Sequence, residues 1–272
     1  MSTIAQLQEM QLKKLSHVRS VLGVNVVASS YAEIVQKSLR WAQERRSRAL
    51  FFCNVHMIME AYDNPLYREV LNQADIVNPD GMPLVWALRA LGVRGAQRVY
   101  GPDATGALLP AAEKAAISVG FYGSSDTVLD TLVKMVRTRH PNLRIDFVES
   151  PPYGVLTPEE DAATVERMIS SGVQLLFVGL GCPKQERWVM DHMGRVPAVM
   201  LAVGAAFDFL AGTKPQAPRW MMRAGLEWAF RLICEPRRLA KRYLKHNPRF
   251  VAYFLQQLTS GRTGQSDAEA VP

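Results

Sequence analysis

Short apolar runs alternate along this chain with longer stretches whose apolar positions recur at helical spacing. RALFFCN (48–54) predicts a strand, followed by helices across about 55–73. ADIVNPDG (74–81) predicts a strand ending in Asp-Gly, and MPLVWALRALG turns helical behind it. AAISVGFYG (115–123) leads through Ser124 and Ser125 into the helix DTVLDTLVKMVRTRH, which Pro141 stops. LRIDFVES predicts the next strand. Thr157-Pro158-Glu159-Glu160 then opens a helix with the polar cap and acidic first turn that a helix start prefers. VQLLFVGLG and PAVMLAVGAAF predict two more strands. The helix between them runs from Pro183 to Met193 and ends at Gly194, with Pro183 expected at the first helical position.

Strands that alternate with helices pair in parallel through right-handed crossovers, with helices on both faces. The continuous apolar character of LLFVGL and VMLAVG suits strands buried on both sides. A Rossmann-like α/β fold with a mostly parallel sheet is therefore predicted from about residue 18 to 210. After AGTKPQAPRW the alternation stops. WMMRAGLEWAFRLI, PRRLAKRYLKH and PRFVAYFLQQL all have helical character, punctuated by Pro236 and Pro248. The final TSGRTGQSDAEAVP is polar and aperiodic, as a disordered tail is. The expected organisation is an α/β core over 1–213, a helical appendage over 214–258 and a disordered tail over 259–272.

Charge sharpens this division. The 272 residues carry a net charge of +7, and between Lys214 and Arg249 ten Lys or Arg face only Glu227 and Glu235. That segment holds +8 and the remainder −1, so the basicity belongs to the appendage. Three readings fit it, namely a solvated helix face, a nucleic-acid patch, or an element binding a membrane surface and phosphate. Interleaved Trp, Phe and Leu favour the third, because basic amphipathic helices lie on anionic bilayers. Cys53, Cys182 and Cys234 lie far apart, which argues against a disulfide framework or zinc site and for a reducing cytoplasm. MSTIAQLQEMQLKKLSHVRS lacks the apolar core of a signal peptide. PAVMLAVGAAF falls short of the ~20 residues a spanning helix needs.

Candidate chemistry gathers where strands end. Asp80 closes a strand in NPDG, and it is either an ordinary Asp-Gly turn residue or a carboxylate available as general base. FYGSSD has the strand–turn–helix form of an anion cradle. GLGCPKQE puts a polar run at the mouth of the sheet, where open parallel sheets bind ligands. No GxGxxG and no Walker spacing occurs, which weighs against a dehydrogenase or a P-loop enzyme. His56, His140, His192 and His246 are scattered and read as surface or packing residues.

Taken in order, NVHMIMEAYDNPLYREVLNQADIVNPDGMPLVWA, RVYGPD, FYGSSD, VGLGCPKQERW and AVGAAFDFLAGTKPQAPRWMMRAGLEWAFRLICEPRRLAKRYL resemble the WecG/TagA/CpsF glycosyltransferase family (glycosyltransferase family 26) over about residues 22–246. The resemblance implies an inverting, metal-independent transfer from a UDP-sugar to an undecaprenyl-diphosphate-linked saccharide in cell-surface polysaccharide synthesis. The sugar is implied to be of the N-acetylmannosamine type or a related hexose, with a glucose donor in exopolysaccharide assembly as the alternative. It implies Asp80 as catalytic base, no cofactor and no metal. Asn54, Gln185, Asp103, Asp208, Arg231, Arg238 and Lys241 are implied to bind substrate, with the last three holding diphosphate. It further implies a cytoplasmic enzyme, peripheral on the inner face of the membrane through an anionic lipid surface, and leaves a homo-oligomer open. Many relatives carry Thr where Phe52 stands, and often Arg where Lys241 stands. A nucleic-acid-binding protein using the basic arm is the alternative from another class, though no known nucleic-acid module occurs.

Overall fold

The computed structural model describes residues 17–152 and 154–260. Val18–Val21 (β1) and Val24–Val27 (β2) form an antiparallel hairpin. Leu22 and Gly23 turn it at φ 50° and 88°, the positive-φ turn that matches the twist of paired strands. The hairpin is absent from the predicted elements because its Leu-Gly turn lacks the usual Asn-Gly or Asp-Gly signal. Helix α1 (Tyr31–Gln43) follows, started by a capping box between Ser30 and Glu33.

The core alternates as the residue pattern predicts. Its strands are β3 (Arg48–Cys53), β4 (Ile76–Pro79), β5 (Val119–Gly123), β6 (Ile145–Glu149), β7 (Leu175–Gly179) and β8 (Val199–Ala202). They form one all-parallel six-stranded sheet in the order β4-β3-β8-β7-β5-β6. The connections supply α2 (Val55–Asp63), α3 (Pro65–Asn72), α4 (Met82–Ala90), α5 (Gly101–Lys114), α6 (Asp126–Arg139), α7 (Pro158–Ser171) and α8 (Lys184–Asp191). Helix α5 is a further element that the sequence did not announce, because Gly101, Pro102, Gly106 and Pro110 weaken its helical signal. Pro183 sits one place outside α8, at its N-cap, and not at the first helical position.

Side chains alternate across the sheet with period two. Leu50, Phe52, Leu175 and Phe177 fill one core layer, while Phe51, Cys53, Leu176 and Val178 fill the other. Near the carboxyl ends β5 and β7 approach closely at two glycines. A Cβ on Gly123, whose φ is 113°, would lie 2.7 Å from the Gly179 carbonyl group. Only glycine allows both that contact and that φ.

Beyond β8 come α9 (Ala206–Leu210), α10 (Arg219–Arg223), α11 (Glu227–Cys234) and α12 (Pro236–Thr259). Pro248 does not separate two helices, since α12 runs through it. An interior proline forfeits one helical hydrogen bond and costs about 3 kcal/mol. Phe250 and Phe254 offset this by burial in the main core, each contributing roughly 2 kcal/mol. Arg249 adds a two-pronged ion pair to Asp63 at 2.5 and 2.9 Å. Gln257 bonds the backbone of Ser20 and Leu22, tying the helix to the first hairpin. Among the described residues no helix is long and apolar enough to cross a membrane. The disordered tail expected over 259–272 starts too early, since α12 runs through Thr259 and Ser260 caps it, and its remainder, 261–272, lies outside the described residues.

Candidate active site

Adjacent parallel strands β3 and β4 end side by side, and each delivers one polar residue to the same place. Asn54 follows β3 and caps α2, its side chain accepting from the backbone N–H of His56 and Met57 at 3.1 and 3.3 Å. Asp80 follows β4, and its backbone N–H extends the ladder to the Cys53 carbonyl at 2.8 Å. The Asp-Gly pair is thus a strand end locked to its neighbour. Behind it the fully buried Asn78 donates to the Phe51 carbonyl at 3.1 Å and accepts from Ser29, so the floor of the site is rigid.

A cleft of about 130 Å³ opens above these strand ends. Asn54, Asp80, Arg98, Glu227, Arg231 and Arg242 are its principal polar walls, with Tyr100, Trp228, Tyr243 and His246 between them. Residues from α11 and α12 therefore close over residues from the sheet. Arg98 sits at the junction. One of its terminal nitrogens (Nη2) lies 3.2 Å from Asp80 Oδ1 and 2.5 Å from Glu227 Oε2. Its Nε donates to the Asp80 carbonyl, and the guanidinium lies 4.1 Å above the Tyr100 ring centroid.

Burial pushes the Asp80 carboxyl up to about 6. Arg98 opposes that rise, Glu227 adds to it, and Arg231 favours the anion. A carboxylate tuned toward neutrality suits proton transfer better than an ordinary surface aspartate does. Arg242 is half-buried, and its buried Nε has no hydrogen-bond partner among the described residues. Desolvation, with Arg231 and Arg238 nearby, draws its affinity for the proton below the usual arginine range. A half-buried guanidinium left short of a partner is an open invitation to an anion.

Of the eight residues expected from sequence, three line this cleft: Asp80, Asn54 and Arg231. Gln185 is buried elsewhere, accepting from the Gly181 N–H at 3.0 Å and donating to Glu186 at 2.8 Å. Glu186 is itself fully buried, with the Tyr67 hydroxyl 3.2 Å away. Half of the polar run Lys184–Arg187 thus braces the loop after β7, while Lys184 and Arg187 are exposed. Asp103 pairs with Arg219 at 2.7 Å beside a separate depression. Asp208 pairs with Lys214 at 3.0 Å. Arg238 pairs with Glu235 at 2.6 Å, and Lys241 is exposed. Phe52 is packed against Gly101 and does not line the cleft.

Arg98, Glu227 and Arg242 were missed as site residues, although the motifs RVYGPD and GLEW contain the first two. For Arg242 a signal existed. Leu239, His246, Phe250 and Phe254 mark the buried stripe of α12, and helical spacing sets Arg242 beside that stripe and Lys241 away from it. His56, Glu60 and His246 bring possible metal-ligand atoms within 4.8 Å of one another at the cleft wall. Arg242 and Lys245 hold positive charge against this group and help push the His56 imidazole down to about 3, behind the larger effect of burial. That field opposes a cation.

Comparison with known proteins places these features together. The chain is 26% identical over 220 residues to the N-acetylglucosaminyldiphosphoundecaprenol N-acetyl-beta-D-mannosaminyltransferase of Bacillus subtilis (strain 168), covering 80% of this chain and 83% of the relative. It is 28% identical over 234 residues to the protein of the same description from Staphylococcus aureus (strain NCTC 8325), covering 85% and 89%. The model of the glycosyl transferase WecG/TagA/CpsF family matches residues 19–264. That span takes in the sheet, the cleft and the helices that close it, and it makes this chain a member of the WecG/TagA/CpsF family of glycosyltransferases.

Proposed function

We propose that this glycosyltransferase moves a hexose, of the N-acetylmannosamine type, from a UDP-sugar to a saccharide carried on undecaprenyl diphosphate, with inversion and without a metal on the diphosphate. The observation that carries the reading is the convergence of a buried, proton-ready Asp80 with Arg231 and Arg242 in one cleft. Asp80 takes the proton of the acceptor hydroxyl as that oxygen bonds to the anomeric carbon. The bond from that carbon to the diphosphate oxygen breaks on the opposite face, and its electron pair leaves with UDP. Guanidinium groups offset the charge that develops there, a role elsewhere given to a metal. The activity of the relatives, N-acetylmannosaminyl transfer to an undecaprenol-diphosphate-linked N-acetylglucosamine, supports the acceptor and sugar class.

The helical segment also supports a membrane role. Trp220, Ile233 and Leu244 are 65%, 78% and 77% exposed on helices rich in Arg and Lys. Such a surface suits an anionic bilayer, where the lipid-linked acceptor resides. The test incubates the purified full chain with a panel of UDP-sugars and lipid-diphosphate-linked acceptors, with and without EDTA. We expect transfer from one donor that survives chelation, and a loss on the order of 10²-fold or more in Asp80→Asn. No transfer with any pair, or Asp80→Asn within a few-fold of wild type, overturns the reading. Rescue of an EDTA-silenced enzyme by manganese overturns its metal-free part.

A further inference from the structure

We infer that Glu227 is a positioning residue that engages the guanidinium of Arg98 and so leaves Asp80 free to accept a proton. The inference rests on the reading of Asp80 as base. Its ground is geometric. A single Arg98 nitrogen serves both carboxylates, and the shorter contact, 2.5 Å against 3.2 Å, goes to Glu227. All three groups are largely shielded from water, the Arg98, Asp80 and Glu227 side chains being 15%, 17% and 12% exposed. The guanidinium is further held by the Asp80 carbonyl and the Tyr100 ring. One fixed cation therefore faces two largely shielded carboxylates.

This arrangement decides how strongly Asp80 holds its charge. With Glu227 removed, Arg98 would have Asp80 as its sole carboxylate partner, and a carboxylate paired one-to-one with a buried guanidinium is a weak base. The other groups facing Asp80 do not replace Glu227. Arg231 on α11 favours the anion, and Tyr31, Tyr100 and Cys53 are held protonated by burial. Among the described charged groups acting most strongly on Asp80, Glu227 is the one that pushes in the opposite direction. It arrives from α11, 129 residues along the chain from Arg98, so only a docked C-terminal segment delivers it. An undocked segment leaves Asp80 tied to Arg98 and poor at activating any hydroxyl, water included. Base strength is thereby coupled to closure of the cleft.

The test uses the full chain and two readouts. Carboxyl carbon NMR, with Asp80→Asn to assign the signal, follows the titration of Asp80 without any transfer step. The pH profile of transfer to a short-chain acceptor follows catalysis. In Glu227→Gln we expect the Asp80 midpoint and the acid limb of kcat/KM to fall together by about one pH unit, with a several-fold lower plateau and donor KM within about twofold. Glu227→Asp, which keeps the charge, should restore part of both, and circular dichroism confirms that each variant folds. An unmoved Asp80 midpoint overturns the inference and leaves Asp80 as base intact. A midpoint that falls while the acid limb stays put shows that Asp80 is not the base, and it overturns both.

Discussion

Asp80 illustrates a residue whose placement trades stability for chemistry. Its folded-state carboxyl titrates near 6, above the ordinary aspartate value, and burial is the main cause. The native state therefore holds a proton that the unfolded chain releases between about pH 4 and 6. Stability due to this group is full below pH 4 and is lost as pH rises through 6. Asn cannot ionise, and Arg98 retains Glu227 when Asp80 is replaced. Asp80→Asn should therefore gain on wild type across that window, by on the order of 2 kcal/mol at pH 7.5. Urea unfolding at pH 4 and 7.5 measures it, and equal differences at both pH values would contradict the buried-anion account. The cationic side of the cleft gives a second contrast. Arg242→Ala should lower transfer to a soluble acceptor on the order of 10²-fold, whereas exposed Lys241→Ala should stay within a few-fold. Reversed effects in a steady-state assay would place the diphosphate elsewhere.

At the scale of elements, the short link between α10 and α11 decides whether the cleft closes. Gly225 adopts φ 74°, and a Cβ there would stand 3.0 Å from the Trp86 ring of α4. Alanine is opposed both by the backbone conformation and by the indole. Gly225→Ala should displace the start of α11, and with it Glu227 and Arg231, while the sheet keeps its packing. We expect transfer to fall at least about tenfold, with far-ultraviolet circular dichroism unchanged, because sub-ångström errors in positioning are costly to catalysis. Full activity would mean that α11 tolerates the shift. The same logic explains α12. Its amino-terminal half supplies Arg242 and His246 to the cleft, and its carboxyl-terminal half buries Phe250 and Phe254 in the main core. The rigid end of the helix thus holds the functional end in place.

For the whole molecule the central question is how the proposed lipid-linked acceptor is reached, since no helix among the described residues is long and apolar enough to cross a membrane. Trp220, Ile233 and Leu244 lie exposed on the segment that also closes the cleft. Replacing all three by Glu should abolish co-sedimentation with anionic vesicles, since it removes apolar area and adds like charge to the lipid surface. Transfer to a water-soluble acceptor should stay within a few-fold. Loss of both activities together would show that these side chains also serve the cleft.

Much of this architecture was already determined by the sequence. Period-two and helical patterning are local properties, and burial on both faces leaves a strand such as LLFVGL few alternatives. The parallel sheet, the Thr157 helix cap, and Asp80 and Asn54 at strand ends follow from such patterns, whereas the pairing of those two strands side by side does not. The motif resemblance added the family. Tertiary structure alone decided which charges meet. Arg98 and Glu227 stand 129 residues apart, and nothing in the spacing of either reveals that one guanidinium will serve two carboxylates. Likewise, of the ten basic residues from Lys214 to Arg249, helical spacing separates Arg242 from Lys241, but only packing turns Arg231 and Arg242 into the cleft and pairs Arg238 with Glu235. Pro248 reads locally as a helix break, and long-range burial of Phe250 and Phe254 overrides it. Backbone pattern is set by neighbours along the chain, whereas charge pairing and desolvation depend on neighbours in space, which only the folded core supplies.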